Sequence, residues 1–178
     1  NRCGIGMHLQ SGTDAGENIS LHGGAIYNSD LALKLDATNA ELNCHSVAYD
    51  YNGLMADLNA GRLMLTDCHI ESDSVSDDQI DLDGNGTHFS MKGGLLQWYG
   101  TYPSSWAQYG NVKAASCTAS FSDVLMHNMG NSAERLFTGP GLVLAKSTQM
   151  LNTPNMPARM HDQQKSSMVF GGFESAAT

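Results

Sequence analysis

Asp50 and Glu71 are the two carboxylates of this chain whose setting suggests acid–base chemistry, with His69 two residues before Glu71 and Gln97 and His127 further along. Two carboxylates held side by side repel, so one is expected to carry a proton near neutrality while the other stays ionised. A glycosidase uses that division: one acid protonates the leaving oxygen and one carboxylate acts as base or nucleophile. The expected roles are Glu71 as general acid, Asp50 as nucleophile or base, and His69 and Gln97 holding substrate hydroxyls, with His127 a further substrate contact. If the bond were instead broken by elimination, His127 or Tyr27 would take the proton and Lys92 would neutralise a uronate. Asp81 and Asp83 are alternative carboxylate partners for Glu71. The spacing of these groups singles out no metal site, and neither a metal nor a cofactor is expected.

From Asp50 to His127 the chain runs 78 positions, so these residues act together only if the fold stacks them. A repeat provides the stacking. ISLHGGAIYN (19–28), LNCHSVAYDYN (42–52), LMLTDCHIES (63–72), FSMKGGLLQW (89–98) and ASFSDVLMHN (119–128) share one pattern. Each has alternating apolar places, a short corner, then two more alternating places. Leu42, Cys44, Val47 and Tyr49 thus correspond to Leu63, Leu65, Cys68 and Ile70, then to Phe89, Met91, Gly94 and Leu96, and then to Ala119, Phe121, Val124 and Met126. Alternation with period two marks a strand with one buried face. A further short strand follows each copy in LALKLDATN, LMADLNAG and QIDLDGNG, where Leu33 and Leu35, Ala56 and Leu58, and Ile80 and Leu82 alternate with polar residues.

Repeats of 21 to 30 residues with no helical period predict an all-β, right-handed, single-stranded parallel β-helix. An antiparallel sandwich accounts for the strand spacing but not for the matched corner in every copy. The register then predicts two outward columns. One holds Ala25, Ala48, His69, Leu95 and Leu125, and the other holds Tyr27, Asp50, Glu71, Gln97 and His127.

Two insertions interrupt the coils. The stretch 98–117 carries Trp98, Tyr99, Tyr102, Trp106 and Tyr109, flat rings with polar tips that suit the apolar face of a sugar. Trp98, Tyr102 and Trp106 are the substrate-stacking candidates, and packing over the sheet or against a neighbouring subunit is the alternative. The acidic stretch ESDSVSDDQID lacks the ligand spacing of a calcium loop and reads as a solvated loop. Residues 1–151 are expected to form the coils and 152–178, with two prolines, an exit or capping segment. The opening residue is Asn1, consistent with a piece of a longer polypeptide.

Composition agrees with an all-β chain: 19 Gly and only 15% charged residues leave little for helical faces. A net charge of −9 speaks against nucleic acid, which needs clustered Lys and Arg. Membrane insertion is not expected either, since no apolar run approaches the ~20 residues needed. Cys3, Cys44, Cys68 and Cys117 form no C-x-x-C pair and read as reduced thiols, Cys44 and Cys68 in the core.

GENIS (16–20), AYDYNG (48–53) and DCHIES (67–72), spaced one coil apart, resemble phage tailspike depolymerases of the pectin-lyase-like class. Members often read "GE.IS", then "SFDYN", then "CHIE" in consecutive coils; here Ala48-Tyr49 stands where Ser-Phe is usual. The match is close in those three stretches and holds in outline from Gly16 to Asn128. The resemblance implies a homotrimer of parallel β-helices on a phage tail or baseplate, hence a virion protein working outside the host cell. It implies a capsule or O-antigen polysaccharide as substrate, attacked by hydrolysis or elimination, with Asp50, His69 and Glu71 at the matching positions. A glycan-binding adhesin without catalysis and a purely structural fibre segment are the other readings.

Overall fold

The computed structural model describes residues 3–12, 17–72, 79–98, 109–127 and 136–151, together with two short strands near the C-terminus. Each coil contributes one strand to each of three parallel sheets. The first sheet stacks Cys3–Leu9, Ser29–Leu35, Leu54–Leu58, Ile80–Leu82, Gly110–Val112 and Phe137–Thr138. The second stacks Ile19–His22, Glu41–His45, Arg62–Thr66, His88–Lys92, Thr118–Ser122, Leu142–Lys146 and Phe170–Gly171. The third stacks Ala25–Tyr27, Ala48–Asp50, His69–Ser72, Leu95–Trp98, Leu125–His127, Gln149–Leu151 and Glu174–Ser175. The chain visits the three sheets in turn, and every strand pairs in parallel with its counterpart one coil away. The protein is a β-solenoid of about 5 turns.

The expected register holds residue for residue. Leu42, Leu63, Phe89 and Ala119 pair in sequence, as do Cys44, Leu65, Met91 and Phe121, and Tyr49, Ile70, Leu96 and Met126. All twelve are buried and face the axis. On the first sheet Leu33 and Leu35 lie over Ala56 and Leu58, which lie over Ile80 and Leu82. In the upper coils the core is aromatic: Phe89 meets Phe121, Phe121 meets Phe137, and Phe137 meets Tyr109. These inward rows bury most of the apolar surface and supply the main driving force for folding.

The corner between the second and third sheets is a left-handed residue in the second to fifth complete copies and at the start of the sixth: Ser46, Asp67, Gly93, Asp123 and Ser147, with Gly23 in the first. One left-handed residue, or two in succession at Gly23-Gly24 and Gly93-Gly94, turns the strand without ending its ladder. Ser46, Asp67 and Asp123 donate their N–H to Thr66, Lys92 and Lys146 of the next coil at 2.9–3.0 Å. Beyond the corner, Ala48, His69 and Leu125 donate back to Gly24, Val47 and Gly94 at 3.0–3.1 Å. The backbone stays paired through the bend, as buried N–H and C=O groups require.

Residues 109–117, taken above as the end of the aromatic insertion, continue the solenoid. Gly110–Val112 pairs with Ile80–Leu82, and Tyr109 is fully buried. Tyr109 is a core ring and not a sugar platform. Gly110 sits beneath Phe137, whose ring occupies the space a side chain there would need. The thiols of Cys44, Cys68 and Cys117 are free and buried, and Cys3 is free and exposed. Burial pushes the Cys44 thiol up to about 11.

Two left-handed glycines, Gly94 in this corner and Gly86 in the turn between the first and second sheets, separate contact from backbone strain. A methyl at Gly94 (φ 79°) would collide with the backbone carbonyl and nitrogen of Cys68, whereas one at Gly86 (φ 76°) would meet nothing within 4 Å. Gly86→Ala is expected to cost about 1–2 kcal/mol, the left-handed penalty alone, and Gly94→Ala about 3 kcal/mol or more. Urea unfolding of the two variants beside the parent measures the difference.

Candidate active site on the third sheet

The corner decides which way the site residues point. Asp67 turns the chain, Cys68 drops into the core, and alternation then sends His69 out, Ile70 in and Glu71 out. One coil earlier Ser46 and Val47 do the same, leaving Ala48 and Asp50 outward around buried Tyr49. Parallel pairing sets Ala48 against His69 and Asp50 against Glu71. It then sets His69 against Leu95, Glu71 against Gln97, and Gln97 against His127, with Tyr27 beside Asp50 on the other side. The five sequence candidates Asp50, Glu71, His69, Gln97 and His127 therefore share one outer face.

They do not share one point. At ~4.8 Å per rung, Gln97 is one rung above Glu71 and His127 is about 10 Å above it. The compact group is Asp50, His69 and Glu71, which each present one donor atom within 4.8 Å of the others. It is the one set of three His, Cys, Asp or Glu side chains among the described residues close enough to share a cation. His69 Nε2 lies 3.2 Å from Glu71 Oε1, an ion-pair distance without hydrogen-bond alignment. Asp50 Oδ1 is buried and accepts no hydrogen bond.

Burial acts on the carboxyl of Asp50. Asp50 is held above the usual carboxylate range, first by burial and then by the charge of Glu71, with His69 acting the other way. Burial thus biases the Asp50 carboxyl toward its protonated form. Desolvation exceeds like-charge repulsion as the cause, and local burial is what an alignment of repeats does not reveal.

Of the other candidates, Trp98 ends the strand Leu95–Trp98 and pairs with Ser72, while its side chain lies outside the described residues, as do Tyr102 and Trp106 altogether. Asp81 and Asp83 are not partners of Glu71. They belong to the first sheet, where Lys113 Nζ binds Asp83 at 2.6 Å and Asp81 at 3.0 Å. Lys92 is exposed at the end of a second-sheet strand, in the column of Thr66 and Ser122. Tyr27 is 63% exposed, one rung below Asp50.

Much of AYDYNG is architecture. Tyr49 is core, Tyr51 adopts φ 55°, and Gly53 passes so close to the carbonyl of Asp30 that a side chain would strike it. Asn52 is buried, accepts the N–H of Ser29 at 2.9 Å and donates to the carbonyl of Ile26 at 3.0 Å. It ties the turn to the coil below. The sequence signal was its place before Gly in a turn, where Asn commonly serves the backbone. No protein-family model, curated protein or solved structure matches this chain.

Two substitutions separate architecture from site. Asn52→Ala strands a buried N–H and should cost about 1–3 kcal/mol. Asp50→Asn should instead raise the melting temperature at neutral pH. A carboxyl whose folded pKa is raised stabilises fully only below its unfolded pKa of 3.8, and that advantage is lost as pH rises through the folded value. The gap between Asp50→Asn and the parent should therefore widen from pH 4 toward neutrality; melting curves across that range read it.

Proposed function

We propose that the outer face of the third sheet binds a bacterial surface polysaccharide and cleaves it by hydrolysis, as part of a phage tailspike. The observation that carries this reading is the adjacency of Asp50 and Glu71 on neighbouring rungs, with oxygens inside 4.8 Å and His69 beside them. Carboxyl groups ~5 Å apart suit double displacement with retention, whereas inversion needs room for a water between them. Asp50, biased to hold a proton, would donate it to the glycosidic oxygen as the leaving sugar departs. Glu71, 3.2 Å from His69, would attack the anomeric carbon and form a glycosyl ester. Asp50 would then take a proton from water, and the resulting hydroxide would release the sugar and restore Glu71.

The setting supports this chemistry. Glu71 has 17% of its side chain exposed, so its charge is only partly screened, while the outward edge of His69 remains open to a hydroxyl. Exposed Tyr27 offers a ring face one rung from Asp50, and Gln97 and His127 extend the polar column upward. The homotrimer, the capsule or O-antigen substrate and the place on a virion tail follow from the resemblance of GENIS, AYDYNG and DCHIES to tailspikes. A non-catalytic adhesin is the second reading, favoured by how much of AYDYNG serves packing.

Incubation with purified capsule or O-antigen, followed by analysis of the ends produced, separates the readings. Hydrolysis yields new reducing ends, lost by about 10²-fold or more in Asp50→Asn and Glu71→Gln while binding persists. Unsaturated ends absorbing in the ultraviolet would mean elimination, binding without new ends the adhesin. Cleavage untouched by both substitutions would move the active site elsewhere.

A further inference from the structure

Asp50, His69 and Glu71 bring their donor atoms to one spot on the outer face of the third sheet. Asp50 Oδ1 and His69 Nε2 are both shielded from solvent and neither makes a hydrogen bond. Both belong to side chains that point to the same spot as Glu71, with all three donor atoms inside 4.8 Å. Two desolvated atoms without a hydrogen-bond partner, converging with the carboxylate of Glu71, call for a shared partner.

We propose that Asp50, His69 and Glu71 form a three-ligand seat for a divalent transition-metal ion of the zinc type. His69 and Glu71 are two apart on one strand and therefore on one face. Asp50 lies directly beside Glu71 on the neighbouring strand, so the three donors form a triangle on a rigid ladder. Bond lengths of ~2.0–2.2 Å to nitrogen and carboxylate oxygen imply donor separations of about 3–3.5 Å around a tetrahedral ion. The His69–Glu71 separation of 3.2 Å already meets that, and side-chain rotation closes the rest.

The donor set selects the ion. Calcium and magnesium take oxygen ligands, whereas an imidazole with two carboxylates suits zinc, cobalt, manganese or iron. Two ionised carboxylates and a neutral imidazole carry a charge of −2, which a divalent cation cancels. The remaining positions face outward, open to water or to sugar hydroxyls. A metal held here takes both carboxylates away from proton transfer and nucleophilic attack. It therefore switches off the hydrolysis proposed above; that consequence rests on the hydrolytic reading, whereas the binding does not.

Cobalt(II) and zinc chloride, added to the chelator-treated chain, test the site. Cobalt should give visible absorption bands, one ion per chain, that zinc displaces and calcium does not. His69→Gln, Glu71→Gln and Asp50→Asn should each weaken binding about tenfold or more, with circular dichroism and melting curves confirming that they fold. His8→Gln, which removes the histidine paired with Asp36 at 2.6 Å on the first sheet, should leave binding unchanged. Absence of the bands, or bands that survive His69→Gln and Glu71→Gln in folded protein, overturns the metal site. Polysaccharide assays run alongside keep the two readings apart. Cleavage by metal-free protein that zinc suppresses at the concentration filling the site supports both. Zinc binding in a chain that cleaves nothing leaves the seat standing and removes the hydrolase. Cleavage with no metal binding does the reverse.

Discussion

The whole solenoid depends on parallel pairing from coil to coil, carried through the bend between the second and third sheets by residues in the left-handed conformation. A strand that simply ended at each bend would expose N–H and C=O groups inside the wall. Here Ser46, Asp67 and Asp123 keep donating to the coil above at the moment the chain turns. Pairing without a break fixes register, and register with period two fixes what faces the axis and what faces out. A one-residue slip at Asp67 would put Glu71 in the core and Ile70 in water. The constraint that closes the wall therefore also sets the site.

Inside and outside obey different physics along the same strands. Inward rows tolerate exchange so long as volume is filled: Leu42, Leu63, Phe89 and Ala119 succeed one another at one level, and large neighbours such as Phe121 offset the small Ala119. Outward rows bring side chains ~4.8 Å apart with no packing requirement, so charge and hydrogen bonding govern them. The first sheet balances its outward charges, with Lys34 3.5 Å from Asp57 and Lys113 between Asp81 and Asp83. Among the described residues, no Lys or Arg forms an ion pair with Asp50 or Glu71 on the third sheet, where the basic group beside Glu71 is His69. Two sheets of one scaffold thus carry acidic residues in opposite states, compensated on one and concentrated on the other.

The repeat made the fold and the outward columns legible because both follow from counting in twos across a matched corner. The pairing of Asp50 with Glu71 and of Glu71 with Gln97 was readable for that reason alone. Tyr109 was misread for an equally physical reason: an aromatic beside a glycine looks like loop, and only the ring of Phe137 above Gly110 shows why the coil resumes there. Asp81 and Asp83 were misplaced because sequence order does not say that the next strand turns onto another sheet. The upward shift of Asp50 was out of reach, since it depends on how much water reaches that carboxyl, a property of the assembled surface.

These strands meet the requirements of acid–base work in an economical way. A catalytic pair needs two carboxyls at fixed separation and unequal burial, and a solenoid fixes the separation by its rung spacing alone. Inequality then needs only different neighbours: Asp50 lies beneath the flank of His69 with Ala48 beside it, while Glu71 has His69 on its own strand. The cost is that such a pair repels itself through a charge that a divalent ion suited to imidazole and carboxylate ligands would cancel. A proton and a metal ion would each relieve that repulsion, and the two compete for the same carboxylate oxygens.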